Sequence, residues 1–479
     1  MTTTHALGGK TTIAVGVMLA FLAVPYLSPR LARFRVARAP WDQAVAAEAA
    51  PAPTSAPVLT QGETTLKAST NEATITNALP ETPAPPIDAA ELAKKAGSLA
   101  VEDETGHALD AFYASFAKTR AKTPGAITRV LHYGDSVITS DYVSGTMRRK
   151  MQAELGDAGH GFILVANPWE WYFHNDVAHG AEAGWGSSRI TGPTAKDGMY
   201  GLGGVTFTGS PGASAFFATA EGRGAYGKKV SRFDVYYLET PNGGDVEVKL
   251  AGNVERFSTK GEEKVSKIKS FDVADGEAKL SLRVISGNPR LFGVALEREE
   301  AGVVYDALGA NGARADLWLG MNDAHWADQM ALRKPALVVL QYGTNESEYP
   351  ALPGDYEKNL ARVVEKLKAA APTASILIAS PLDRAENVAG GVRTKPIIKK
   401  LVAAQQNVAK TTGVAFWNTF EAMGGDGAMA KWMKKGLGGG DLTHPTPAGA
   451  EVIGDLLFRS LQSGFEAWSS RQTSEKKSD

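Results

Sequence analysis

The apolar run Ile127-Thr-Arg-Val-Leu-His-Tyr133 ends in Gly134-Asp135-Ser136, and a possible partner for that serine, Asp441-Leu-Thr-His444, stands more than 300 residues further on. A serine hydroxyl is a poor nucleophile unless a base takes its proton, and the base needs a carboxylate to orient it. Asp441 and His444 supply both from one short loop. A fold that uses this chemistry has to bring the end of an early strand to a loop near the C-terminus, in the chain order Ser, Asp, His.

Two further blocks lie between them, each after an apolar strand. Val303-Val-Tyr-Asp-Ala leads to Gly309-Ala-Asn-Gly312-Ala, and Pro335-Ala-Leu-Val-Val-Leu340 leads to Gln341-Tyr-Gly-Thr-Asn345-Glu. Around these blocks the chain reads as alternating strands and helices. Leu109, Phe112 and Phe116 recur at helical spacing within 108–122 and predict an amphipathic helix before the strand 127–133. Ser140 or Asp141 is placed to cap a helix running to Leu155. Further on, 356–371 reads as helix, 374–379 as strand, 395–411 as helix and 414–417 as strand. This is the rhythm of a parallel sheet with helices on both faces. A last helix opens at Pro447 with Thr446 as its cap, leaving His444 on the entering loop.

Between the serine and glycine blocks the period changes. Val246, Val248 and Leu250 alternate with Asp245, Glu247 and Lys249, and Leu280, Leu282 and Val284 alternate with Lys279, Ser281 and Arg283. Turn signals fall at Pro241–Gly244, Ala274–Gly276 and Ser286–Pro289. The expected fold class is α/β: a three-layer parallel-sheet domain over 89–162 and 301–470, with an antiparallel β-sandwich inserted at 163–300.

The first 38 residues hold an uncharged apolar stretch, Thr11–Leu27, followed by Arg30, Arg33, Arg35 and Arg38. It reads as an export signal or a short membrane anchor, with an uncleaved signal-anchor in the inner membrane preferred, although arginines on its C-terminal side run against the positive-inside rule. Residues 39–88 are rich in Ala, Pro, Thr and Glu, as in Pro80-Glu-Thr-Pro-Ala-Pro-Pro86, and read as a solvated tether. Residues 471–479 read as a disordered tail. A formal charge of −1 gives no electrostatic surface for nucleic acid. The absence of cysteine excludes thiolate nucleophiles and thiolate metal sites.

The eight histidines form no spaced metal motif, so neither a metal nor another cofactor is expected. His132 reads as a packed strand histidine. The aromatic cluster Pro168-Trp-Glu-Trp-Tyr-Phe173, with Trp185 after it, fits either a sandwich core or a surface on which sugar rings stack. Gly201-Leu-Gly-Gly204 precedes a strand and Gly436-Leu-Gly-Gly-Gly440 precedes Asp441, so neither reads as a phosphate-cradling loop.

Ser136, Gly312, Asn345 and the Asp441–His444 pair, in this order and at strand ends or before a final helix, resemble the four blocks of the SGNH (GDSL-type) hydrolases. Val137 stands where Leu is usual, Glu346 where Asp is common, and Ala450 where an aromatic is frequent. Within that group, Gly156-Asp-Ala-Gly-His-Gly-Phe162 and Phe420–Trp432 leading into Asp441 resemble the peptidoglycan O-acetylesterases of Gram-negative bacteria, which carry a carbohydrate-binding-like sandwich inside the hydrolase domain.

The resemblance implies that Ser136 attacks an acetyl carbonyl, His444 moves the proton, Asp441 holds the imidazole, and the N–H groups of Ser136 and Gly312 with the Asn345 side chain form the oxyanion hole. It implies an enzyme of the cell envelope, anchored in the membrane with its catalytic domain in the periplasm, removing O-acetyl groups from a polysaccharide, foremost peptidoglycan. An acetyltransferase using the same triad, and a glycan-binding protein without catalysis, are the alternative readings.

Overall fold

The computed structural model describes residues 99–478 apart from Arg223, so the stretches read above as signal-anchor and tether lie outside the described residues. Strands are numbered β1 to β18 and helices α1 to α9 in chain order. Strands β1 (Ile127–Gly134), β13 (Gly302–Gly309), β14 (Leu337–Gln341), β15 (Ser375–Ala379) and β18 (Ala415–Trp417) form one parallel sheet in the order β13, β1, β14, β15, β18. Strands β13, β14 and β15 are buried along their whole length, as a parallel sheet covered on both faces requires.

Successive strand residues point to opposite faces, and the packing follows that alternation. On one face Val130, Val303, Leu337, Val339 and Leu377 pack with Phe112 and Phe116 of α1 (Asp110–Arg120), Met147 and Met151 of α3 (Tyr142–Leu155), and Ile453 and Leu457 of α9 (Pro447–Ser478). On the other face Leu131, Val338, Leu340, Ile376 and Ile378 join Trp326 and Met330 of α4 (Asp323–Arg333), Val363 of α5 (Tyr356–Ala370) and Leu401 of α6 (Pro396–Thr412). Two short helices, α7 (Thr419–Met423) and α8 (Ala428–Lys434), and a hairpin of β16 (Ala385–Val388) and β17 (Gly391–Thr394) precede the Asp441 loop.

The chain between β1 and β13 forms two antiparallel sheets. One contains β2 (Gly161–Leu164), β4 (Trp185–Arg189), β5 (Val205–Gly209), β7 (Val230–Glu239), β10 (Val265–Gly276) and β12 (Arg290–Glu297), ordered β10, β7, β12, β5, β4 with β2 also paired to β12. The other contains β3 (Val177–Ala181), β6 (Ser214–Thr219), β8 (Gly244–Leu250), β9 (Asn253–Ser258) and β11 (Lys279–Gly287), ordered β3, β6, β11, β8, β9. The alternation read at 246–250 and 280–284 is real: Val246, Val248, Leu280 and Leu282 are buried and share a core cluster with Phe207, Val235 and Leu291 of the first sheet.

Three local expectations are corrected. Strand β10 runs through Ala274–Gly276, shifting its register on β7 between Asp272 and Gly276, and the turn falls after Gly276. Asp141, which follows a separate short helix, α2 (Ser136–Thr139), adopts a left-handed conformation (φ 52°), and its carboxylate is taken by Arg148 rather than by the first N–H groups of α3. Helix α9 continues to Ser478 through the segment expected as a tail: no Gly or Pro interrupts it after Gly464, and Arg471 pairs with Asp110 of α1 at 2.8 Å.

A buried charge cluster joins the two kinds of sheet. Arg333, at the end of α4, donates through Nε and Nη2 to Asp306 of β13 (2.6 and 2.7 Å) and through Nη1 to Glu297 of β12. Arg129 of β1 reaches the same Glu297 at 2.7 Å, and Asp306 also accepts the Phe162 N–H of β2 at 2.8 Å. Burial raises the Glu297 carboxyl, but Arg333 and Arg129 outweigh it and hold the group at about 2. Removing one member strands the others without solvent, so Arg333→Met is expected to lower the unfolding free energy by about 3–5 kcal/mol in urea titration.

Two glycines fix how closely α2 sits on the sheet. A Cβ on Gly309 would stand 2.1 Å from the Thr139 nitrogen, and one on Gly134 would stand 2.4 Å from Ile138 Cγ1. Gly309→Ala is therefore expected to destabilise the fold by about 1–3 kcal/mol. Gly320→Ala, where a Cβ meets nothing within 4 Å, is the control and leaves the thermal midpoint nearly unchanged.

Candidate active site

Strand register levels three loops. Gly134 lies opposite Gly309 of β13 and Gln341 of β14, so the chain leaves β1, β13 and β14 at one edge of the sheet and carries Ser136, Gly312 and Asn345 from there. Asp135 caps α2 by accepting the Val137 N–H at 3.0 Å, and its second oxygen accepts the Thr344 N–H at 3.3 Å. One buried carboxylate thus ties the serine turn to the asparagine loop. Burial raises the Asp135 carboxyl, and these N–H groups work against that rise.

Ser136 Oγ lies 2.7 Å from His444 Nε2, and His444 Nδ1 lies 2.6 Å from Asp441 Oδ2. An ionised carboxylate only accepts, so Nδ1 carries the ring proton and Nε2 is left to accept from the Ser136 hydroxyl. The turn that holds the pair is tight. Asp441 Oδ1 accepts the N–H groups of Thr443 and His444, both at 3.0 Å, while Leu442 between them is buried and left-handed (φ 60°). Burial raises the Asp441 carboxyl, but the hydrogen bonds from the His444 ring and the two N–H groups prevail and hold it at about 2. Ionised across the neutral range, Asp441 is suited to stabilise an imidazolium.

The donors expected for an oxyanion are present with different degrees of freedom. Gly312 is exposed with φ +76°, and neither its N–H nor that of Ser136 is engaged by a protein acceptor among the described residues. The Asn345 side chain donates one amide hydrogen to the Ala313 carbonyl at 2.8 Å, which orients the amide and leaves its second hydrogen available.

Arg384 contributes without any sequence signal of its own, whereas Trp171 and His132 are both marked in the sequence. Arg384 donates to Thr443 Oγ1 at 2.9 Å on the base loop, and to the Thr344 carbonyl (3.1 Å) and Ser347 Oγ (2.8 Å) on the asparagine loop, so it clamps the two together. Trp171, from the aromatic cluster, is 48% exposed, with its ring centroid 6.5 Å from that of His444; its neighbour Tyr172 is buried. His132 is packed as expected: it bridges Tyr305 Oη (2.9 Å) and Gln341 Oε1 (3.0 Å), and burial pushes it down to about 4.

The structure also gathers Asp141, His160 and His174, whose potential ligand atoms lie within 4.8 Å of one another, although no spacing in the sequence announces them. The chemistry of this group is not that of an open metal site. Asp141 already accepts from Arg148, Ser144 and the Asn175 N–H, and His160 Nε2 lies at hydrogen-bond distance, 3.0 Å, from His174 Nδ1. Burial keeps the imidazoles neutral, with His174 pushed down to about 3.

Residues 284–452 match the GDSL-like lipase/acylhydrolase family, a span that covers the Gly312, Asn345 and Asp441–His444 blocks but begins after Ser136. Among solved structures the chain is similar to a peptidoglycan O-acetylesterase at 22% identity and a TM-score of 0.64, over 77% of this chain and 99% of that one; this likeness bears on the fold. A family two carbohydrate esterase from Cellvibrio japonicus aligns at 13% identity over 60% of this chain and 98% of its own, with a TM-score of 0.26 too low to support an argument. No curated protein sequence matches the chain.

Glu346, where Asp is common in the resembling family, has a definite place. Its Oε1 accepts the Ala315 N–H at 3.1 Å, linking the Gly312 loop to the Asn345 loop, while its buried Oε2 has no hydrogen-bond partner among the described residues. Burial pushes its carboxyl up to about 8, so it is protonated at neutral pH. As pH rises through 8 it ionises and sets a negative charge beside the groups that would stabilise an oxyanion. An alkaline limb near pH 8 is therefore expected in kcat/KM for ester hydrolysis, and Glu346→Gln, which keeps the shape without the charge, is expected to remove it from the pH–rate profile.

Proposed function

We propose that this chain, whose residues 284–452 match the GDSL-like lipase/acylhydrolase family and whose fold is similar to that of a peptidoglycan O-acetylesterase, is an SGNH-type carbohydrate esterase removing O-acetyl groups from a cell-envelope polysaccharide, with peptidoglycan as the substrate. The observation that carries this reading is the unbroken line from Ser136 Oγ through the His444 ring to the Asp441 carboxylate, at 2.7 and 2.6 Å.

The Ser136 hydroxyl attacks the acetyl carbonyl as its proton passes to His444 Nε2. Charge then develops on the carbonyl oxygen, where the N–H groups of Ser136 and Gly312 and the free amide hydrogen of Asn345 receive it; one such donor lowers a barrier by roughly 3–4 kcal/mol. The C–O bond to the sugar breaks, and the departing sugar oxygen takes the proton from Nε2. Water, deprotonated by the same nitrogen, attacks the acetyl-serine; the acyl bond to Ser136 Oγ breaks, Oγ takes the proton back from Nε2, and acetate leaves. Asp441 stays ionised throughout, pairing with the imidazolium in each half-reaction.

We read the two antiparallel sheets between β1 and β13 as a β-sandwich inserted in the hydrolase domain, beginning with β2 at Gly161 rather than at 163, and assign it a role in holding the glycan. The apolar stretch 11–27 and the Ala/Pro-rich stretch 39–88, outside the described residues, fit a signal-anchor and tether that present the enzyme in the periplasm. Among the described residues no helix is long and apolar enough to cross a membrane.

The test is acetate released from O-acetylated peptidoglycan by the full chain beside its Ser136→Ala variant. Release by the parent and a fall on the order of 10⁴-fold or more in the variant is the expected outcome. Equal release by both would remove Ser136 from the chemistry.

A further inference from the structure

The leaving oxygen of an acetylated sugar must come within reach of His444 Nε2 to take its proton, which brings the sugar close to the side chains beside His444. Trp171 is one of these. Its indole lies 6.5 Å from the imidazole, centroid to centroid, with the two planes inclined by 33°. Of the large apolar side chains left exposed among the described residues, Val254, Ile285 and Val392 are aliphatic and Trp171 is the aromatic one. An indole face kept in water forgoes most of the free energy its burial would give, and is worth explaining where it adjoins a reacting group.

The segment that carries Trp171 is anchored on both sides. Before it, Arg189 Nη1 donates to the Pro168 carbonyl at 2.6 Å, and Trp169 packs against the core. After it, Tyr172 Oη accepts the Leu164 N–H at 2.8 Å, and the Phe173 N–H donates to the Thr139 carbonyl at the end of α2 at 3.1 Å. Asn175 then locks to Asp141 through its backbone N–H (2.8 Å) and its side-chain amide (2.6 Å), while Arg148 holds the Asn175 carbonyl at 3.0 Å. His174, engaged by His160 and Tyr172 Oη, is buried beneath. The buried charge and histidine cluster therefore has a mechanical use: it fastens the Trp171 segment to the helices that follow Ser136.

We propose that Trp171 is the stacking platform for the pyranose ring whose acetyl group is removed, receiving the ring's apolar C–H face on its exposed indole and so aligning the leaving oxygen with His444. This deepens the esterase reading and rests on it. It makes Trp171 a determinant of glycan binding rather than of bond cleavage.

The experiment compares Trp171→Ala and Trp171→Phe with the parent on O-acetylated peptidoglycan and on p-nitrophenyl acetate, whose leaving group is not a sugar. Trp171→Ala is expected to raise KM for the glycan about tenfold and to lower kcat/KM for it at least fivefold more than for the aryl ester. Trp171→Phe, which keeps an aromatic face, is expected to recover most of the glycan KM. Equal losses on the two substrates, or an unaltered glycan KM, would overturn the platform while leaving the esterase in place. Should the parent release acetate from p-nitrophenyl acetate and acetylated xylan but not from peptidoglycan, the substrate assignment fails, and the same contrast measured on acetylated xylan decides the platform.

Discussion

The site depends on where three parallel strands stop. Because Gly134 pairs with both Gly309 and Gln341, the ends of β13, β1 and β14 are level, and residues far apart in sequence leave the sheet side by side. A slip of one residue in either pairing would separate Ser136 from Gly312 or Asn345 and would turn every buried strand residue to the opposite layer. The glycines at 134 and 309 follow from the same constraint, since α2 crosses the sheet edge too closely for a side chain beneath it.

Charge buried at two places connects the antiparallel sheets to this frame. Arg333, Asp306, Glu297 and Arg129 couple β12 to β13, β1 and α4, while Asp141, Arg148 and Asn175 couple the segment before β3 to α3. Desolvation offsets much of the Coulombic gain in such groups, so their effect on net stability is smaller than their geometry implies. Their effect on position is larger, because each guanidinium satisfies its partners in one arrangement.

The sequence made the layers legible wherever periodicity was strong. Elements α5, α6, β15 and β18 fall within a residue or two of their expected limits, and the strands 246–250 and 280–284 show the burial their alternation implies. That Ser136, Asp441 and His444 come together was legible because local motifs mark them at the ends of periodic segments. Arg384, the Asp141 group and the placement of Trp171 were not, since each depends on contacts between segments tens to hundreds of positions apart. Asp141 shows why a local rule fails: its position invited a cap, but a buried arginine seven residues on competes for the carboxylate, and the ion pair prevails.

Strand β1 lies second in its sheet, and both of its neighbours come much later in the chain: β13 begins at Gly302 and β14 at Leu337. At a synthesis rate of roughly 5–20 residues per second, β1 is complete roughly ten to thirty seconds before its first partner strand exists. During that interval neither edge of its apolar run has its partner strand, while the antiparallel strands made in the meantime have partners among themselves. Assembly of the hydrolase layers is thereby a late, long-range closure, slow by virtue of its topology and open to aggregation until β13 arrives.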